Sequence, residues 1–187
     1  KNGHIPVDVA LIHVSPPDTH GFCSFGVSTD TTIAACKRAK IIVAMVNQQM
    51  PRVHGDNFIH ASKLDFIVEA NEPLFQAAKV ELSDRHMLIG KYIASLIEDG
   101  STLQMGIGAI PDATLFYLKE KRNLGIHTEM FSDGVVELVE SGVINGEEKT
   151  LHPGKVVSSI VMGSQHVYDF IHENPFMEFH PTDYVND

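Results

Sequence analysis

Short apolar runs alternate with polar, glycine-bearing segments over the first seventy residues. Val7 to Val14 (VDVALIHV) is apolar and β-rich, and Ser15-Pro-Pro-Asp18 ends it, which predicts a buried parallel strand. Residues 19–31 carry Gly21 and Gly26 and predict a loop with a short strand inside it. A helix is expected over Thr31 to Lys40, feeding a strand over Lys40 to Val46. Asn47 to Ser62 is polar and irregular, broken by Pro51 and Gly55, and Asp65 to Val68 predicts another short strand. Residues 69–82 show no clear period. Pro73 forbids continuous helix there, so this stretch reads as a connection between two lobes.

The pattern changes after residue 82. Leu88/Ile89, Tyr92/Ile93 and Leu96/Ile97 recur every four residues, predicting a helix over Ser83 to Asp99 with one apolar face. Ser83 is its expected N-cap and Gly100 its expected stop. A strand over Thr102 to Met105, a turn over Gly106 to Ile110 and a helix over Pro111 to Lys121 should follow, with proline in the favoured first helical position. Leu124 to Met130 predicts a strand, Ser132 to Ser141 a short helix stopping at Gly142, Lys155 to Met162 a further strand, and Gln165 to Glu173 a last helix before Pro175. Alternating β-runs and helices define an α/β protein. The expectation is two partial open α/β lobes with mostly parallel sheets, residues 1–79 and 80–187.

Composition narrows the function. The 187 residues are 43% hydrophobic and 20% charged, enough for a real core and too apolar for intrinsic disorder. A formal charge of −10 argues against nucleic acid, whose phosphates need a basic surface. No apolar run approaches the roughly 20 residues of a membrane span, and the N-terminus has no signal-peptide pattern. Cys23 and Cys36 match no zinc spacing and no disulfide framework, so a cytoplasmic location with reduced thiols is expected.

The chemistry concentrates in STLQMGIGAIPDATLFYLKEKRNLGIHTEMFSDG, residues 101–134. Gly106-Ile-Gly108-Ala-Ile110 leaves a strand and opens a helix. Its glycines free the backbone N–H groups to approach a phosphate or a developing oxyanion. The next strand delivers Glu129, at the strand end where ligands bind in open α/β sheets, and a carboxylate there can act as a nucleophile. Two other readings share this spacing. Glu129 lies 21 residues beyond Gly108, as a ribose-binding acid would in a dinucleotide fold, although Pro111 occupies the third glycine position. The glutamate could also simply cap the helix that begins near Ser132.

On the segments VDVALIHVSPPDTHGFCSFGVSTD (7–30), IIVAMVN (41–47), IASLIEDGSTLQMGIGAIPDA (93–113), LGIHTEMFSDGVVELVESGVI (124–144) and YDFIHENPFMEFHPTDYVND (168–187), the chain resembles the acetyl-CoA hydrolase/transferase family of class I CoA-transferases. The pair GIGAIPDA and HTEMFSDG carries most of the specificity. The resemblance implies that Glu129 is the nucleophile, passing through an acyl–glutamyl anhydride and a glutamyl–CoA thioester. It also implies that Gly106, Ile107, Gly108, Ala109 and Ile110 contact CoA. Acyl-CoA and a short acid such as 4-hydroxybutyrate, butyrate or propionate are then the expected substrates, with no tightly bound cofactor, no metal, and a dimer as the intact assembly. A hydrolase, in which water resolves the intermediate, is the nearest alternative. Family members are more than twice as long, so the chain is expected to be a central fragment that does not turn over alone.

Other residues weigh less. His13, Asp18 and His20, and His54 and His60, flank loops without the i, i+4 spacing of a helical metal pair. Ser15 to Asp18 and Gly21 to Gly26 could line a cleft or simply form a rigid turn. His20 and Asn47 are pocket candidates because the family's first lobe faces its active site. Neither cysteine sits beside a base in a recognisable motif. The run Lys119-Glu-Lys-Arg122 reads as the polar end of a helix.

Overall fold

The computed structural model describes residues 5–78 and 80–187; the first four residues and the expected lobe boundary at residue 79 lie outside them. The first half contains β1 (Val9–Val14), β2 (Phe22–Ser24), the short helix α1 (Thr32–Cys36), β3 (Ile41–Asn47), β4 (His54–Gly55), β5 (Phe58–His60) and β6 (Phe66–Ala70). Strands β1, β3 and β6 form a parallel sheet in that order, with Val9 opposite Ile41 and Val43 opposite Phe66. Ala10, Ile12, Val14, Ile42, Ala44 and Val46 pack inward against Cys23, Phe25, Ile33 and Ile59. The other face, with Val9, Leu11, Ile41 and Met45, is exposed. The expected fully buried strand is therefore buried on one side only: α1 is five residues rather than ten, and it covers one face.

The second half contains α2 (Asp84–Leu96), β7 (Thr102–Leu103), α3 (Ala109–Phe116), β8 (Gly125–Ile126), β9 (Met130–Phe131), α4 (Asp133–Glu140), β10 (Val156–Ser158), β11 (Ile160–Val161), α5 (Gln165–Ile171), β12 (Met177–Phe179) and α6 (Thr182–Val185). Pairing is parallel throughout: β7 with β8, β9 with β11, and β10 with β12 and then β4. A bridge between His127 and Val157 joins the first pair to β10. Leu124, Ile126, Phe131, Val156, Val161 and Phe179 are nearly or wholly inaccessible, so this sheet is covered on both faces. Val53 packs into this second core, and β4 belongs to its sheet. Thr29 N donates to Ser159 O at 3.0 Å and Thr182 N to Asp30 O at 3.1 Å, tying the two halves together.

Two expectations change with physical reasons. In α2 the repeating Leu88, Tyr92 and Leu96 are exposed, and Gly90 and Ala94 are the buried positions. A Cβ on Gly90 would stand 2.6 Å from the Ala113 carbonyl carbon, so the small residues set a close crossing with α3. Ser83 does cap α2, within a capping box completed by His86, but the helix ends at Leu96, before Gly100. Helix α3 begins at Ala109, two residues early. Pro111 is thus its third residue, where an N–H would also lack an intrahelical acceptor.

Candidate functional site

The expected strand Leu124 to Met130 is split into β8 and β9, and Glu129 stands at the break. Its partner strand breaks at the same level, into β10 and β11. The Glu129 carbonyl fills the gap. It accepts from Ser158 Oγ at 3.1 Å, Ser159 N at 3.1 Å and Ile160 N at 2.9 Å. Three donors on one oxygen fix this backbone, and with it the origin of the side chain.

On the other edge of β8 the parallel ladder to β7 runs through His127 N to Leu103 O at 3.0 Å. A side chain then takes over. The buried Thr128 Oγ1 accepts from Met105 N at 2.9 Å and donates to Met105 O at 2.7 Å. Met105 is the last residue before the glycine turn, and Thr128 the last before Glu129. This hydroxyl therefore clips the start of the turn to the strand end that presents the glutamate.

The turn itself is open. Gly106, Ile107 and Ile110 are exposed, and Gly108 and Ala109 are half-buried. Gly108 caps α3 at φ 115°, and no atom lies within 4 Å of a Cβ placed there, so backbone conformation rather than crowding calls for glycine. Ile107 and Gly108 line a cavity of about 700 Å³, together with Val80, Phe116, Lys119 and the Ser132–Gly134 start of α4. Glu129 does not line that cavity.

The Glu129 carboxylate is instead directed toward the C-terminal helix. Its Oε2 accepts from Asn186 Nδ2 at 3.0 Å. Asn186 directly follows α6, and α6 is braced from β8: His127 bonds the Val185 carbonyl, and its ring lies 6.3 Å from that of Tyr184. Burial, then the nearby Lys149 charge, hold His127 below the ordinary histidine pKa, which favours the neutral ring. Beneath β8, the buried Lys149 Nζ donates to Ile126 O at 2.8 Å and Lys155 O at 2.7 Å. Burial pulls its pKa down to about 8, against the attraction of Glu178.

The structure thus brings the glycine turn and Glu129 together through adjacent main chains, and directs the carboxylate to Asn186. Sequence reasoning missed Thr128, Asn186, β12 and α6. Asn186 lies 57 positions from Glu129, and no periodicity joins them. The Thr128 role could have been suspected, since a polar residue in an apolar strand end needs a partner.

The secondary candidates resolve into scaffold. Asp18 accepts from His20 N and Phe22 N, each at 2.9 Å, and these bonds to backbone amides hold its pKa below the usual carboxylate range, with Arg52 adding. That makes the Ser15–Asp18 segment a tied turn. His20 is exposed. Asn47 is buried; its Nδ2 donates to Glu72 O, and its Oδ1 accepts from Glu72 N and Gln49 N. Cys23 is fully buried, which raises its thiol pKa. Lys119 lies beyond the end of α3 and faces Glu137 at 3.7 Å.

The chain with this geometry matches the N-terminal domain model of the acetyl-CoA hydrolase/transferase family over residues 1–77. It is 58% identical over 186 residues to the 4-hydroxybutyrate coenzyme A transferase of Clostridium kluyveri, covering 100% of this chain and 43% of that one. It is 50% identical over 187 residues to the succinyl-CoA:acetate/propanoyl-CoA:succinate CoA transferase of Fasciola hepatica, covering 100% of this chain and 39% of the relative. The crystal structure of 4-hydroxybutyrate CoA-transferase from Porphyromonas gingivalis superposes with a TM-score of 0.96 at 52% identity, over 100% of this chain and 48% of that one. The chain therefore spans about two-fifths of the length of the curated relatives it matches. Among the described residues, no helix is long and apolar enough to cross a membrane.

Proposed function

We propose that this chain carries the nucleophile and part of the CoA surface of a CoA-transferase that moves CoA from an acyl-CoA to a short carboxylic acid. The observation that carries the reading is Glu129, fixed at a strand break beside the glycine turn with its carboxylate held by Asn186. The names of the relatives support transfer, with 4-hydroxybutyrate and acetyl-CoA as the first substrates to try. The two core clusters support a division into two lobes near residue 79, with β4 packed against the second.

The steps balance as acyl transfers. A Glu129 carboxylate oxygen attacks the thioester carbonyl, the C–S bond breaks, and an acyl–glutamyl anhydride and a CoA thiolate result. The thiolate attacks the glutamyl carbonyl and releases the first acid, leaving a glutamyl–CoA thioester. The incoming carboxylate attacks that thioester, and the released thiolate then takes the new acyl group and frees Glu129. Each addition develops an oxyanion, for which the Gly106–Ile110 turn supplies candidate N–H donors. A carboxylate is a weak nucleophile, so orientation by Asn186 and by the three bonds to the Glu129 carbonyl contributes directly. Both intermediates are activated toward water, and exclusion of water separates transfer from hydrolysis.

The test uses the full-length protein. Incubation with acetyl-CoA should add the mass of CoA, less water, to the peptide holding Glu129, and Glu129→Gln should abolish the adduct. An adduct that persists in the Gln variant overturns the assignment. Release of free CoA without transfer to an added acid would identify a hydrolase instead.

A further inference from the structure

A second cluster of titratable side chains gathers beside α6, none of them used by the acyl-transfer reading. Glu178 and His180 are two residues apart, on β12 and just past its end, so they project from one face. His152 reaches them from the turn before β10, in the left-handed region at φ 52°. Its Nδ1 stands 2.7 Å from Glu178 Oε2, and His180 Nε2 stands 3.2 Å from the same oxygen. The three potential ligand atoms lie within 4.8 Å of one another, and all three residues are half-buried.

The surroundings fix these atoms in place. The other ring nitrogen of His152 is 2.6 Å from the Tyr184 hydroxyl, so the imidazole is held from behind with Nδ1 facing the cluster. The His180 ring lies 5.0 Å from the Tyr184 ring and 5.2 Å from that of His152. The neighbouring Lys149 ammonium is bonded to the Ile126 and Lys155 carbonyls. A histidine whose second nitrogen is anchored to an oriented partner is the usual outer arrangement of a metal ligand.

We propose that His152 Nδ1, Glu178 Oε2 and His180 Nε2 bind one divalent cation of the zinc class. Two imidazole nitrogens and one carboxylate oxygen suit zinc, cobalt or nickel. Magnesium and calcium require mostly oxygen ligands. Solvent completes the coordination, since the three side chains remain partly exposed. Through Tyr184, and through Pro181 just before α6, the ion braces the short helix that Asn186 follows. The site is independent of whether Glu129 forms a covalent intermediate.

The experiment is a calorimetric Zn2+ titration of chelator-treated full-length protein, with metal content after dialysis as a second readout. One equivalent per chain is expected. Glu178→Gln and His180→Gln should each weaken binding at least tenfold, the lower end of what altering a metal's immediate surroundings removes. Co2+ should give the visible absorption of a low-coordinate nitrogen and oxygen site, and Mg2+ should not compete. Circular dichroism of the variants separates lost ligands from lost fold. If either variant fails to fold, Co2+ absorption and Mg2+ competition on the unsubstituted protein decide. Absence of stoichiometric Zn2+ binding overturns the site, as does equal binding in folded Glu178→Gln or effective competition by Mg2+.

Discussion

Glu129 is served by two unlike supports. On the turn side, Gly106–Ile110 offers exposed main chain, positive φ at Gly108 and few side chains. On the α6 side, the contacts come from side chains: Asn186 bonds the carboxylate, and His127 bonds the Val185 carbonyl and packs on Tyr184 in the helix that Asn186 follows. The turn leaves its main chain accessible, with Gly106, Ile107 and Ile110 exposed. The α6 side already holds its ligand, the carboxylate itself. One support receives charge that develops during reaction, and the other orients charge that is permanently present. Thr128 joins the two by clipping Met105 to the strand that presents Glu129.

Each part of this contrast can be broken separately. Glu129→Gln keeps the shape and removes the nucleophile, so turnover of the full-length protein should fall on the order of 10⁴-fold, read by a coupled CoA-transfer assay, with the fold unchanged by circular dichroism. Lys149 probes the floor under β8. Its folded pKa of about 8 lies below the unfolded value, so the unfolded chain binds more protons between pH 8 and pH 10. The penalty is fully present below pH 8 and is released as pH rises. Stability relative to Lys149→Met should therefore increase by roughly 2 kcal/mol from pH 8 to pH 10, by denaturant melts at each pH.

Thr128→Val leaves Met105 N and O without the hydroxyl and should cost about 1–3 kcal/mol in the same melts. It should also loosen the turn, raising KM for acyl-CoA more than it lowers kcat. Asn186→Ala should have the smallest effect and the opposite signature. A fall in kcat of roughly tenfold with KM for acyl-CoA nearly unchanged would place Asn186 on the orienting side. An equal change in both variants would erase the distinction between the two supports.

Much of the local structure was legible because it depends on near neighbours. Ser83 begins a helix because its hydroxyl reaches an amide three residues on, and Ser132 precedes α4 as expected. Exposure was harder to read. The apolar stripe of α2 faces outward because Gly90 and Ala94 permit a closer approach to α3 than Leu88 or Leu96 would. The split of Leu124–Met130 into two strands was invisible for a related reason. The break is stabilised by donors from Ser158, Ser159 and Ile160, 29 or more positions away.

Most of the α/β alternation up to α5 and the glycine turn before α3 were written in the sequence, because hydrophobic period and glycine conformation act over a few residues. The tertiary structure alone decided that Thr128 clips the turn, that Asn186 holds the carboxylate, and that His152 meets Glu178 and His180. These pairs lie between 23 and 57 positions apart. Only the packing of the parallel sheet, with α6 folded back across it, sets side chains that distant within hydrogen-bonding reach.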